Sequence, residues 1–202
     1  MSGPAASVVF AQPLTAPQRK QLDVLSVSLT DNLEVGDGPW FFNLRSTEAL
    51  GAPWPYPPEH RPPLSLHLQD ITAEHSPEDV AYITQITGRH AREELVICAH
   101  TNEPSSHHAL GVLTHHVART YQGIIDLGGA LDGADFTVYR QGAHDADMEF
   151  AIALYEAYFA GHPGQLWPVP YTLSDGALWF SHFCDADFMA WWLRQPQFRM
   201  VK

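Results

Sequence analysis

The chain has 202 residues, of which 45% are hydrophobic and 11% aromatic, with six Trp. That is too much apolar material for a disordered segment. Its 23 acidic residues outweigh 11 Lys and Arg, a formal charge of -12, a field that repels nucleic acid and anionic membrane and attracts basic partners. Two cysteines, Cys98 and Cys184, make no disulfide framework and fit a reducing compartment. Apolar runs fall short of the roughly 20 residues that span a bilayer. No base precedes the apolar run within Met1–Phe10, which argues against a secretory signal. The expected location is the cytoplasm.

Ser7 to Phe10 is β-branched and apolar and reads as a first strand. Thr15 before Pro17 is a cap-and-proline helix start, and Leu22, Leu25, Leu29 and Leu33 follow on one helical face, up to Gly36, Gly38 and Pro39. Trp40 to Leu44 reads as a strand. Residues 51–63 hold six prolines, which cannot donate ladder hydrogen bonds, so an extended surface loop is expected. Leu64, Leu66 and Leu68 alternate with Ser65 and His67, the period of a half-buried strand. Ser76-Pro77-Glu78-Asp79 opens a helix carrying Val80, Ile83 and Ile86 or Thr87, and Gly88 stops it. Leu95 to Ala99 is a compact strand. Ser105 or Ser106 opens a helix striped by Leu110, Leu113, Val117 and Tyr121. Gly123 to Gly129 runs from strand into glycine turn.

Residues 130–145 read as a loop with a short strand at Phe136 to Tyr139, and Asp147 to Phe159 as a helix. Strands at Leu166 to Thr172 and Ala177 to Phe183 flank the turn Ser174-Asp175-Gly176. Asp185 caps a last helix, Phe188 to Arg194, stopped before Pro196. The order β-α-β-β-α-β, then α-β-α-β-β-α, predicts one α+β domain over residues 1–202. Its sheet would be mainly antiparallel with helices on one face, and its first half a ferredoxin-like split βαβ unit.

Twelve histidines invite a metal reading. The pairs His107, His108 and His115, His116 are separated by about 10–13 Å of helix rise and cannot share one ion, and neither HxxxH nor CxxC occurs. His144, Asp145 and Asp147, with His182, are the set a metal-assisted hydrolase would use. GxSxG is absent. Cys184 lies between His182 and Asp185, and acidic neighbours oppose a reactive thiolate. Gly128 and Gly129 lack the rest of a phosphate motif, and Asp126 and Asp132 flank them. The reading is a protein without catalytic residues, metal or cofactor.

Acid is concentrated between Asp126 and Glu149. There Asp126, Asp132, Asp135, Asp145, Asp147 and Glu149 face the single base Arg140. With Trp54 and Tyr56 of the proline loop as aromatic anchors, they form the candidate partner-binding set.

Three stretches carry a resemblance: Asn102-Glu103-Pro104-Ser105-Ser106-His107-His108; Gly123-Ile124-Ile125-Asp126-Leu127-Gly128-Gly129-Ala130-Leu131; and the run from His182-Phe183-Cys184-Asp185-Ala186-Asp187-Phe188 through Trp192-Leu193 to Phe198-Arg199-Met200-Val201-Lys202. Together they resemble a family of small bacterial cytoplasmic proteins without assigned activity, similar to the immunity proteins of polymorphic and contact-dependent toxin systems. With the acid cluster and the lack of a catalytic signature, the resemblance points to an inhibitor that occludes a cognate basic toxin, one acting on nucleic acid or nucleotide, and a monomer or homodimer is expected. A metal-assisted hydrolase and a non-catalytic regulatory subunit are the alternative readings.

Overall fold

The computed structural model describes residues 3–30, 33–35, 40–128, 131, 160–172, 178–196 and 198–200. The expected strand at Phe136 to Tyr139, the helix at Asp147 to Phe159 and the turn at Ser174 to Gly176 lie outside them. The described elements are β1 (Ala5–Phe10), α1 (Ala16–Ser28), β2 (Leu33–Val35), β3 (Trp40–Asn43), β4 (Pro63–Asp70), α2 (Pro77–Thr87), β5 (Glu93–Ala99), α3 (Pro104–Tyr121), β6 (Ile124–Asp126), β7 (Leu166–Thr172), β8 (Leu178–Cys184) and α4 (Ala186–Trp192). The strands form one sheet ordered β2-β3-β4-β5-β1-β6-β8-β7. Every neighbouring pair is antiparallel, giving the expected α+β class.

The strand order departs from the split βαβ arrangement, in which the first strand lies between the third and fourth strands of the unit. Here β1 lies antiparallel between β5 and β6, and β4 pairs directly with β5. The β4–β5 register explains this. It sets Leu64, Leu66 and Leu68 opposite Ala99, Ile97 and Leu95, so the apolar members of both strands share one face. A slip by one residue would turn each apolar set to the other side.

Alternation makes the sheet two-faced. Ala6, Val8 and Phe10 of β1, Leu64 and Leu66 of β4, Leu95 and Ile97 of β5 and Ile125 of β6 enter one core, together with Leu22 of α1, Leu110, Leu113 and Val117 of α3 and Phe188 and Met189 of α4. On the reverse face, Val9, Ile124 and Phe183 form a smaller core with Val169 and with Ile83 of α2. Thus α1, α3 and α4 cover one face, while α2 covers one end of the other.

The local signals explain most ends. Ser76 and Asp79 form a reciprocal capping box, Pro77 opens α2, and Gly88 ends it at φ 67°. Asp185 accepts from the Phe188 amide at 2.9 Å and caps α4. One correction concerns Leu33. It does not continue the α1 stripe but begins β2, because α1 stops at Ser28 with Leu29 as its cap. The Ser28 hydroxyl donates to the Leu25 carbonyl at 2.7 Å, a side-chain bond that competes with the helical ladder in the last turn. Helix α3 begins at Pro104, ahead of the expected serines.

Helix α3 is the most buried of the described helices and ends on Gln122, a non-glycine residue at φ 58°. Gln122→Gly should raise the unfolding free energy by about 0.5–1 kcal/mol, since the left-handed region costs a side chain but not glycine. Leu110→Ala should lower it by about 2–5 kcal/mol through the cavity left against the sheet. Urea titration measures both.

Candidate functional site

The reverse face of β4, β5, β1 and β6 is polar where α2 does not cover it. Ser65, His67 and Gln69 alternate with the buried leucines of β4, Glu94 and Cys98 with Leu95 and Ile97 of β5, Ser7 with Ala6 and Val8, and Asp126 with Ile125. These side chains line a groove of about 540 Å³, to which Glu74 and His75 add from the turn before α2. Its described lining holds three carboxylates, Glu74, Glu94 and Asp126, and neither Lys nor Arg.

Glu94 is only 2% exposed. Gln69 Nε2 donates to its Oε1 at 2.8 Å, and His75 Nε2 stands 3.9 Å from its Oε2. Asp126 accepts from the Gly128 amide and from the Ser181 hydroxyl, each at 2.7 Å and both on Oδ1. Burial pushes the Asp126 carboxyl above its usual range. The two hydrogen bonds and the nearby His75 oppose the shift. Further along the floor, Ser65 Oγ lies 2.9 Å from His100 Nε2, and Phe41 packs on the His100 ring with centroids 5.8 Å apart. Burial raises the Cys98 thiol, against a hydrogen bond from Ser65, so it stays protonated and unreactive.

Glu93, one residue from Glu94, points to the other side. It accepts from the Leu14 amide at 2.8 Å and from the Arg19 guanidinium, fastening the start of α1 to β5. A second groove of about 540 Å³, between the end of α3 and the start of α4, mixes Arg89 and Arg119 with Asp185 and Asp187.

The candidate residues divide. Asp126 lines the reverse-face groove. Trp54 and Tyr56 stand on the opposite side of the sheet, where the proline loop folds onto the first turns of α3. Their rings pack 5.2 Å apart, at 6.0 and 5.7 Å from the His108 ring, and the Tyr56 hydroxyl donates to the Pro104 carbonyl. The loop therefore spends these aromatics on its own attachment to α3, and they do not border Asp126. Asp132, Asp135, Asp145, Asp147 and Glu149 lie outside the described residues, as does His144.

His182 is 1% exposed and holds the Gly128 carbonyl through Nδ1 at 2.9 Å; burial lowers its pKa to about 3. Strand parity with Cys184 puts it on the core side, away from the groove. Cys184 is fully buried, and burial with the charges of Asp185 and Asp126 drives its thiol well above the usual range. Among the described residues no three His, Cys, Asp or Glu side chains are grouped to hold a metal ion. No described helix is long and apolar enough to cross a membrane.

The α3 histidines serve packing. His107 and His115 face α4 and the segment after it, whereas His108 and His116 face the loop carbonyls of Pro53 and Leu50. All four are lowered chiefly by burial.

Sequence comparison shows what this architecture belongs to. The chain is a member of DUF6368, a family of unknown function whose model matches residues 2–202. Neither a search of curated proteins nor one of solved structures returns a match.

Glu94, Gln69 and His75 escaped the sequence reading. Alternation marked a polar side for β4, but only the β4–β5–β1–β6 order joins these polar sides into one groove.

Two measurements follow. Asp126→Ala should cost about 1–3 kcal/mol, because the Gly128 amide and Ser181 hydroxyl lose their acceptor. Asp126→Asn retains Oδ1 and should be close to neutral at pH 7, where it also removes a partly buried charge. Second, His107, His108, His115, His116 and His182 all have folded values below their ordinary 6.5. The unfolded chain therefore binds more protons below that value. Their contribution is intact above pH 6.5 and declines as pH falls, so the urea midpoint should be lower at pH 5.5 than at pH 7.5.

Proposed function

We propose that this protein is a non-catalytic inhibitor of the immunity type: it acts in the bacterial cytoplasm and neutralises a cognate basic toxin by covering its active surface. The observation that carries this reading is the reverse-face groove, lined by Glu74, Glu94 and Asp126 without a described Lys or Arg. Such a groove suits the ammonium or guanidinium group of a basic protein, with Asp126 and Glu94 as acceptors and Ser65, Ser7 and Gln69 as polar lining. The acid-rich run Asp132 to Glu149 follows directly after β6, so in sequence it continues from the groove. A net charge of -12 steers a cationic partner and disfavours nucleic acid and anionic membrane as ligands. The resemblance to immunity proteins supports the same reading.

Immobilised protein should retain a basic protein from its host lysate at low salt and release it as salt is raised. Changing Asp145, Asp147 and Glu149 together to Lys should slow association at least about tenfold at low ionic strength and leave the melting temperature unchanged, since complementary charge acts mainly on the rate of encounter. Unaltered association in surface plasmon resonance would move the interface away from this run.

A further inference from the structure

Residues 198–200 lie as a strap over α3 and α4. The Phe198 ring sits where a side chain on Gly111 would be: a Cβ there would meet Phe198 Cζ at 2.5 Å and Leu193 Cδ2 at 2.9 Å. Met200 is 2% exposed. Beside the Phe198 amide's bond to the Gln195 carbonyl at 3.0 Å, two polar contacts among the described residues tie the strap's backbone to side chains of α4 and α3. Trp192 Nε1 donates to the Arg199 carbonyl at 3.3 Å, and the Met200 amide donates to His107 Nδ1 at 3.0 Å.

The second contact differs in kind from the first. A carbonyl accepts at every pH, but an imidazole nitrogen accepts only while it carries no proton. Holding Met200 fixes the neutral His107 ring with its proton on Nε2. A proton on Nδ1 would set one N–H against another. It would also place a cation near Arg199, the charged group that the strap brings toward this ring. From α4 and the turn after it, Asp187 and Arg194 act on His115, two turns further along α3, and not on His107.

We propose that His107 is a proton-operated latch: the neutral ring holds the strap through the Met200 amide, and protonation of Nδ1 releases it, opening the slot between Gly111, Leu193 and Met189. The direction follows from linkage. With the strap seated, burial first and then the charge of Arg199 keep His107 below its ordinary 6.5. With the strap lifted, the ring takes up its proton more readily. The seated state is therefore complete above pH 6.5 and is weakened as pH falls, by at most about tenfold per pH unit for one proton.

Hydrogen exchange of the full-length protein, corrected for the intrinsic pH dependence of exchange, tests this. A peptide containing Phe198–Met200 reports the strap, and a peptide from β5 in the same digest reports global opening. Between pH 7.5 and 5.5 the strap should lose protection several-fold while β5 keeps its own. His107→Asn, whose amide oxygen offers an acceptor near the Nδ1 position without titrating, should keep the strap protected and abolish the pH slope. His107→Ala should leave the strap unprotected at both pH values with β5 unchanged. Strap protection that is constant with pH in the parent protein, equal losses in strap and β5, or a parental slope in His107→Asn would each overturn the latch.

Discussion

The structure depends on one constraint: α3 must bury its apolar stripe against the sheet, and β1, β4, β5 and β6 must all turn their apolar residues toward it in register. Leu110, Leu113 and Val117 meet Val8, Leu64, Leu66, Leu95, Ile97 and Ile125 in one cluster. Each buried Leu or Val contributes about 1.5–3 kcal/mol relative to exposure. With that face committed to the core, strand geometry sends every second residue the other way. The polar groove is therefore a consequence of the core, since Ser7, Ser65, Glu94 and Asp126 have no other side on which to stand.

The two consecutive glutamates of β5 show the same constraint at its most demanding. Glu93 falls on the helix-covered face and is tolerated because the Leu14 amide and Arg19 satisfy it. Glu94 falls on the reverse face and is held by Gln69 and His75. A carboxylate taken out of water needs such partners. Glu93 spends its charge on seating α1. Glu94 lies at the floor of the reverse-face groove, whose described lining holds neither Lys nor Arg.

Histidine has a comparable division of labour along α3. Its paired histidines reach to opposite sides, toward the proline loop and toward α4 with the strap. They act as small polar wedges between a buried helix and the segments laid over it. The cost is sensitivity to acid, because burial disfavours the charged form of each ring.

Much of the local structure could be read from residue types. Thr15 with Pro17, Ser76 with Pro77 and Asp79, and Asp185 announce three helices; alternating leucines announce β4; the Leu110 stripe announces α3. These signals act within one turn or along one strand, so they need no knowledge of the rest of the chain. The acidity and its clustering after β6 were equally legible. Tertiary structure decided what depends on neighbours. Strand order followed from the β4–β5 register and not from the order of elements. Leu33 entered β2 because α1 closes at Ser28, whose hydroxyl takes the Leu25 carbonyl. Trp54 and Tyr56 went to α3, on the far side of the sheet from Asp126, because the loop needed apolar anchors where it crosses that helix. A groove assembled from alternate residues of four strands exists only once their order is set, because side-chain direction is a local property and adjacency is not.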